Sequence, residues 1–145
     1  MLYGDVRKGI MRRLLVMLAV VIGFVGLPAT AAFAGSPHFV DGTVTATQTD
    51  NTITVSGKEA GLGNEDQVHI VVTATASCIN PGNNHPQAAN KESVSAEGDF
   101  PVQNGKADFS LTLTAVFQPS CSPPMTVVFS DVVVTDETSG ISVSL

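Results

Sequence analysis

QVHIVVTATASC, residues 67–78, is the stretch of sequence on which the fold depends. Its apolar side chains share one parity, and they are Val68, Ile70, Val72, Ala74 and Ala76. Cys78 falls on the same parity. Successive side chains of a strand point to opposite faces, so this alternation is typical of a strand with one buried face. The pattern therefore predicts a half-buried β-strand that carries Cys78 on its core side.

A hairpin is predicted before this strand. Its two strands are residues 43–48 and a short segment around Ile53 and Val55, joined by a turn at residues 49–51. Residues 58–66, KEAGLGNED, contain two glycines and several polar residues. They are expected to form a polar loop that leads into the strand predicted over residues 67–78.

Two more strands are predicted after the Asn/Pro/Gly-rich loop that follows Cys78. The first contains Val94, and Pro101 near its end cannot donate a ladder hydrogen bond, so the strand is expected at a sheet edge or kinked. Asn104-Gly105 then predicts a type I′ turn, in which both central residues have positive φ. The next strand alternates most cleanly, and its core-facing residues are Ala107, Phe109, Leu111, Leu113, Ala115 and Phe117.

The C-terminal part completes an all-β pattern. Residues 125–135 are rich in β-branched side chains, but the parity slips between Phe129 and Val132, which predicts a β-bulge or a strand buried on both faces. Residues 136–140 are expected to form a turn before a last strand. About seven short strands without a helix predict one two-sheet antiparallel sandwich of immunoglobulin-like size. After residue 34 the chain has no Trp or Tyr, so the immunoglobulin family itself is not implied.

The first 34 residues have the pattern of an export signal. Arg12 and Arg13 precede an apolar run over residues 14–27, and Ala32-Phe33-Ala34 offers small residues for cleavage. We expect a Sec-type signal cut after Ala34, which leaves residues 35–145 as one secreted domain. A membrane anchor is the alternative, which so short an apolar run disfavours. Met11 stands directly before Arg12 and is a possible true start.

The charge balance of residues 35–145 excludes several partner classes. Three lysines face twelve Asp and Glu, which gives a net charge of 3 − 12 = −9, and there is no arginine. Such a domain repels phosphate groups, so nucleic acid and anionic lipid are poor candidates as partners.

Cys78 and Cys121 are the two cysteines of the chain. In an oxidising compartment an isolated pair most simply forms one disulfide, and a reactive thiol is the alternative. Each cysteine is expected near the end of a long strand. If those two strands run in the same direction, the bridge joins loop 79–91 to loop 118–124 at one end of the sandwich.

Several short segments also resemble a group of small secreted proteins from Gram-positive bacteria. The segments are Ser36-Pro37-His38-Phe39, Lys58 to Gly63 (KEAGLG), Cys78 through Asn80, Gly82 and Asn84 to Ala88-Ala89-Asn90-Lys91, Asn104-Gly105, and Cys121-Ser122-Pro123. The similarity spans nearly all of residues 35–145. It implies secretion and a compact β domain, but no activity, ligand or functional residue.

Candidate metal and cofactor sites are weak. His38, His69 and His85 lack the spacing of a transition-metal site. Residues 64–66 and 136–137 lack a calcium-loop pattern and are expected to be solvated turns. The sequence therefore predicts no metal and no cofactor.

Candidate catalytic residues are equally weak. No serine lies in a G-x-S-x-G motif. Glu97 and Asp99 could in principle flank a glycosidic bond, but they are expected at an exposed strand edge. Lys58 and Glu59 are expected to form a surface ion pair in a loop. The few aromatic residues disfavour a carbohydrate-binding module.

We therefore expect a non-catalytic extracellular protein, either structural or interacting with another protein or a cell-envelope component. The long loop after Cys78 is the candidate interaction surface, and its polar residues are Asn80, Asn83, Asn84, His85 and Gln87. A carrier that holds a small ligand in a sandwich cleft is the alternative, and a hydrolase is the third hypothesis. The sequence does not predict the oligomeric state.

Overall fold

Eight strands in two antiparallel sheets make up the fold. The structure is a computed structural model that describes residues 35–80, 82 and 90–145. The strands are β1 (His38–Phe39), β2 (Thr45–Thr49), β3 (Thr52–Ala60), β4 (Gln67–Ile79), β5 (Lys91–Pro101), β6 (Lys106–Thr114), β7 (Thr126–Asp136) and β8 (Ile141–Ser144). The predicted all-β class with two antiparallel sheets is confirmed. No helix in the described ranges is long and apolar enough to cross a membrane.

The first sheet is built around β3. One edge of β3 pairs with β1 and β2, and the other pairs with β6 along its whole length, from Thr52 opposite Thr114 to Ala60 opposite Lys106. The predicted hairpin of β2 and β3 is confirmed. However, residues 58–60 belong to β3, so the polar loop predicted there was wrong at its start. Pairing with β6 holds these polar residues in an extended conformation.

The second sheet has the order β5-β4-β7-β8. β4, which was predicted from residues 67–78, is the longest described strand, with 13 residues. It pairs with β5 on one side and β7 on the other. Pro101 is the last residue of β5, which is an edge strand as expected. The missing N–H of Pro101 therefore interrupts no internal ladder.

The core lies between the inner faces of the two sheets. Val68, Ile70 and Val72 of β4 are fully buried, and each such side chain contributes about 1.5–3 kcal/mol relative to an exposed one. The ring of Phe109 from β6 packs edge-on against the rings of Phe39 and Phe100, with centroids 5.9 Å and 6.2 Å away. The parity predicted for β4 and β6 is confirmed.

Asn104 and Gly105 carry the chain from one sheet to the other. Their φ angles are 53° and 72°, as a type I′ turn requires, and Gln103 and Lys106 exchange two backbone hydrogen bonds across the turn. Beyond this single bridge, β5 and β6 pair with different strands. The turn thus closes one corner of the sandwich.

A β-bulge interrupts the ladder between β4 and β7. The register shifts between Thr73 and Thr75 of β4, and Asp131 of β7 has a positive φ of 52° at this point. The bulge predicted between Phe129 and Val132 is therefore confirmed.

Candidate functional site

A disulfide joins the second sheet to the connection between β6 and β7 at one end of the sandwich. Cys78 lies near the end of β4, and Cys121 lies in the segment that follows β6. Their Cα atoms are 5.7 Å apart and the predicted bond is present. The segment from β6 to β7 is therefore fixed against the end of the second sheet.

A cleft of about 670 Å³ opens beside this bond, and we call it the disulfide-end cleft. Its lining residues are Gln48, Asp50, Asn51, Ala115, Val116, Phe117, Ser120, Cys121, Pro123, Met125, Thr126 and Val127. The lining includes sulfur and hydrocarbon, and the Sδ atom of the lining residue Met125 is 3.9 Å from the Sγ atom of Cys78. Phe117, expected in the core, is only half-buried there.

The rim of the disulfide-end cleft combines an exposed valine with polar groups. Val116 is 67% exposed, more than the other exposed large apolar residues, Val128 and Leu145. Asn51 donates a side-chain hydrogen bond to the carbonyl of Ala115 (3.0 Å), which fixes one wall. Among the described lining residues, Asp50 is the only one with a charged side chain.

One wall of the cleft continues into an unpaired strand edge. β8 pairs only with residues 133–136 of β7, and no described strand pairs with residues 126–131 on the side away from β4. We call residues 126–131 the edge segment. The side-chain amide of Gln48 from β2 donates to the carbonyl of Val127 in this segment (2.7 Å).

The structure describes only part of the predicted interaction loop. Asn80 is exposed directly after β4, at the same end as the disulfide. Asn83, Asn84, His85 and Gln87 lie outside the described residues, so their role stays a prediction.

Two carboxyl groups are buried at the inner faces of the sheets. Glu59 of β3 and Asp136 of β7 are both fully buried. Asp136 accepts hydrogen bonds from the backbone N–H groups of Thr138 (2.8 Å) and Ser139 (3.2 Å). Both oxygens of Glu59 are buried without a well-formed hydrogen bond to any described residue. Asp136, predicted to lie in a solvated turn, is thus a core residue.

Burial changes the acidity of Glu59. Desolvation, and after it the hydrogen-bonding and charge of the adjacent Asp136 carboxyl, together raise the pKa of Glu59 from 4.5 to about 8. Glu59 is therefore protonated at neutral pH and can share its proton with Asp136. Both side chains are fully buried, so the pair is out of reach of a substrate in this structure.

A second titratable cluster lies on the outer face of the second sheet. The Nδ1 atom of His69 is 2.8 Å from a carboxylate oxygen of Asp99, and its Nε2 atom is 4.0 Å from one of Glu97. The hydrogen bond to Asp99 raises the pKa of His69, against a lowering by desolvation. Glu97 and Asp99 are exposed as expected, but their link to His69 was not predicted.

The remaining candidate residues lie apart from the cleft. His38 is exposed and contacts the carbonyl of Ser36. Lys58 pairs with Asp108 across strands (3.2 Å), so its predicted loop pair with Glu59 was wrong. Within the described part of the chain, no three His, Cys, Asp or Glu residues are placed to hold a metal ion.

The burial of Glu59 and Asp136 was not predicted, although the strand parity carries a signal for it. Glu59 shares the parity of Ile53 and Val55, and Asp136 shares that of Val132 and Val134. Extending each strand by a few residues would have placed both carboxyls inside. The edge segment left no such signal, because it depends on where β8 stops along β7.

Comparisons with protein-family models, with curated proteins and with solved structures found no match to the chain. A function must therefore be inferred from the chain's own residues.

Proposed function

We propose that this protein is a non-catalytic extracellular binding module whose binding site is the disulfide-end cleft. One observation carries the proposal. Sulfur, phenyl and aliphatic groups contribute to the lining of a cleft of about 670 Å³, and one of the lining residues is a valine that is 67% exposed. Apolar concave surfaces with a few polar rim groups are the usual form of binding sites.

The cysteine bond supports an extracellular location. Disulfides persist in oxidising compartments and are rare in the reducing cytosol. The Cys78–Cys121 bond therefore agrees with the export signal predicted over residues 1–34.

The chemistry of the lining favours binding over catalysis. Asp50 is the one titratable side chain among the described lining residues, and both sulfurs of the disulfide are already bonded. General acid–base catalysis commonly needs a second group whose pKa differs from the first. Asp50 and the rim amides are suited instead to orienting a bound partner.

Affinity capture tests this proposal. The full chain is expressed in an exporting host, recovered from the medium and immobilised, and then exposed to culture medium and solubilised cell wall. We expect retention of a specific partner that is lost with Val116→Asp, because this change places a charge on the apolar rim. Thr73→Asp, on the exposed outer face of β4, is the matched control and should retain it.

Equal retention by both variants, or by neither the wild type nor the control, would contradict a binding site at the cleft. A variant shortened within residues 80–90 separates the cleft from the loop. If this variant alone loses the partner, the loop and not the cleft is the binding surface.

A small-ligand carrier is the second candidate, and the size of the cleft favours it. Pockets for small ligands occupy about 300–1,000 Å³, a range that includes this cleft. Native mass spectrometry of the exported protein should then show a bound small molecule that Val116→Asp loses. A spectrum of the unliganded chain alone would favour a macromolecular partner.

A further inference from the structure

Alternate residues of the edge segment direct their backbone N–H and C=O groups away from β4, toward the open edge of the sheet. The carbonyl of Val127 accepts its hydrogen bond from Gln48 of β2, so it is directed away from β4. An extended residue directs its N–H and C=O to the same edge of the strand. The N–H of Val127, and both backbone groups of Phe129 two residues later, therefore also face the open edge.

The end of β8 defines where this edge begins. Leu145 donates its N–H to the carbonyl of Val132 (2.9 Å), and the ladder with β8 extends only over residues 133–136. Asp131 at the bulge is exposed and marks one end of the edge segment. Residues 126–130 remain paired with β4, so the edge is held straight from one side.

The edge segment and the disulfide-end cleft are continuous. Met125, Thr126 and Val127 line the cleft, while Val128 is 40% exposed on the outer face. Side chains of an added strand alternate between the two faces of the sheet. Every second side chain of a strand paired with the edge segment would therefore face the cleft, where it meets an apolar floor.

Three carboxylates lie at or near this surface. Asp50 lines the cleft, Asp131 lies at the end of the edge segment, and Glu92 accepts a hydrogen bond from the N–H of Val116 (2.5 Å). The described lining of the cleft contains no lysine or histidine. An acidic peptide would be repelled, whereas a lysine or arginine would be attracted.

We propose that the edge segment takes an extended, basic segment of another extracellular protein as an added strand, with an apolar side chain inserted into the disulfide-end cleft. Backbone hydrogen bonds to Val127 and Phe129 would give affinity, and the cleft would select the side chain. An N–H of the incoming strand would replace the amide of Gln48 at the carbonyl of Val127. This inference rests on the proposed binding function and names its partner.

A displayed library of random linear peptides tests the proposal, with the exported protein as the immobilised target. We expect enriched peptides that alternate apolar residues with others and carry lysine or arginine. A synthetic copy of an enriched peptide should slow hydrogen exchange at the amides of Val127 and Phe129. Its affinity should fall as salt rises, because screening weakens its attraction to Asp50 and Asp131.

Val127→Pro is the sharpest variant. Proline removes the N–H that faces the open edge but leaves the ladder with β4 intact, so peptide binding should weaken about tenfold or more. Asp50→Asn does not alter the strand and should weaken binding of the basic peptide, so it keeps the test decisive if Val127→Pro misfolds. Thr73→Asn, on the far face of the same sheet, is the matched control.

The possible failures are distinguishable. Peptides that protect amides of β5 or β6 instead, or that bind wild type and both edge variants equally, would overturn strand addition at this edge. If no peptide is enriched while affinity capture still yields a partner lost in Val116→Asp, the cleft binds something other than an extended peptide. Loss of capture as well would remove the proposed function itself.

Discussion

At the scale of single residues, the two buried carboxyls show how a charged residue type fits inside this core. The carboxyl of Asp136 accepts hydrogen bonds from two backbone N–H groups, whereas Glu59 has no such donors. Burying an uncompensated charge costs several kcal/mol, so Glu59 binds a proton instead. Protonation of Glu59 relieves its repulsion with the carboxyl of Asp136 across the core.

Glu59 makes the stability of the fold depend on pH. Its pKa is raised from 4.5 to about 8 in the folded protein, so the folded state holds the proton more tightly. The stabilisation is complete below pH 4.5, declines as the pH rises and is absent above about pH 8. The free energy of unfolding should fall by up to about 1.4 kcal/mol per pH unit within this window.

Glu59→Gln removes this dependence because an amide does not titrate in the window and can donate to Asp136. Urea unfolding between pH 5 and pH 8.5 should give a flatter curve for this variant than for the wild type. Glu137→Gln, an exposed neighbour of Asp136, should leave the wild-type curve unchanged. Parallel curves for wild type and Glu59→Gln would show that Glu59 is already ionised in the fold.

His69 reports a second local interaction on the outer face. Its pKa is raised above 6.5, chiefly by the hydrogen bond to Asp99. Asp99→Asn should therefore lower the pKa of His69, as measured by NMR titration of its imidazole protons. Glu97→Gln should lower it less, because Glu97 lies 4.0 Å away rather than 2.8 Å. A larger effect from Glu97 would mean that the side chains are arranged differently in solution.

At the scale of elements, the alternation of apolar residues predicted the strands that have it. The strand ends and the unpaired edge depend on pairing with distant strands instead. β4 and β6 were predicted because each has an uninterrupted apolar parity, and the bulge in β7 was predicted from its slip. The end of β3 was missed because Lys58 and Glu59 are polar in sequence, although they pair with β6. The edge segment was also missed, because it follows from the length of β8 and not from any property of residues 126–131.

The disulfide acts on two elements that share no ladder, β4 and the segment after β6. It closes a loop of about 44 residues, which should stabilise the fold by about 4 kcal/mol. The double variant Cys78→Ala/Cys121→Ala should lose a comparable amount in chemical unfolding. Wild type treated with a reductant should approach the variant. An unchanged unfolding midpoint would mean that release of the bond does not increase the conformational entropy of the unfolded chain enough to destabilise the fold.

At the scale of the whole molecule, the two sheets have a stable centre and exposed margins, of which the edge segment is one. β4 pairs on both sides and carries fully buried side chains at Val68, Ile70 and Val72. The edge segment pairs on one side only. Binding at the margin can therefore add hydrogen bonds without disturbing the centre.

Native-state hydrogen exchange should reveal this difference in protection between β4 and the edge segment. Amides of β4 should exchange slowest, at rates set by global unfolding, and those of Val127 and Phe129 should exchange much faster. Neighbouring amides of β7 that bond to β4, such as that of Val128, provide the internal control. Equal protection of Val127 and Val128 would mean that the edge is covered in solution.

The order of the strands also affects how quickly the chain reaches this structure. Two of the long ladders join segments that are distant in sequence, because β3 pairs with β6 and β4 pairs with β7. Loop-closure entropy must be overcome before such distant contacts give any stabilisation, so folding should be slow for a chain of this size. The newly synthesised chain should therefore remain open to proteases and chaperones for longer than a helical protein of equal length.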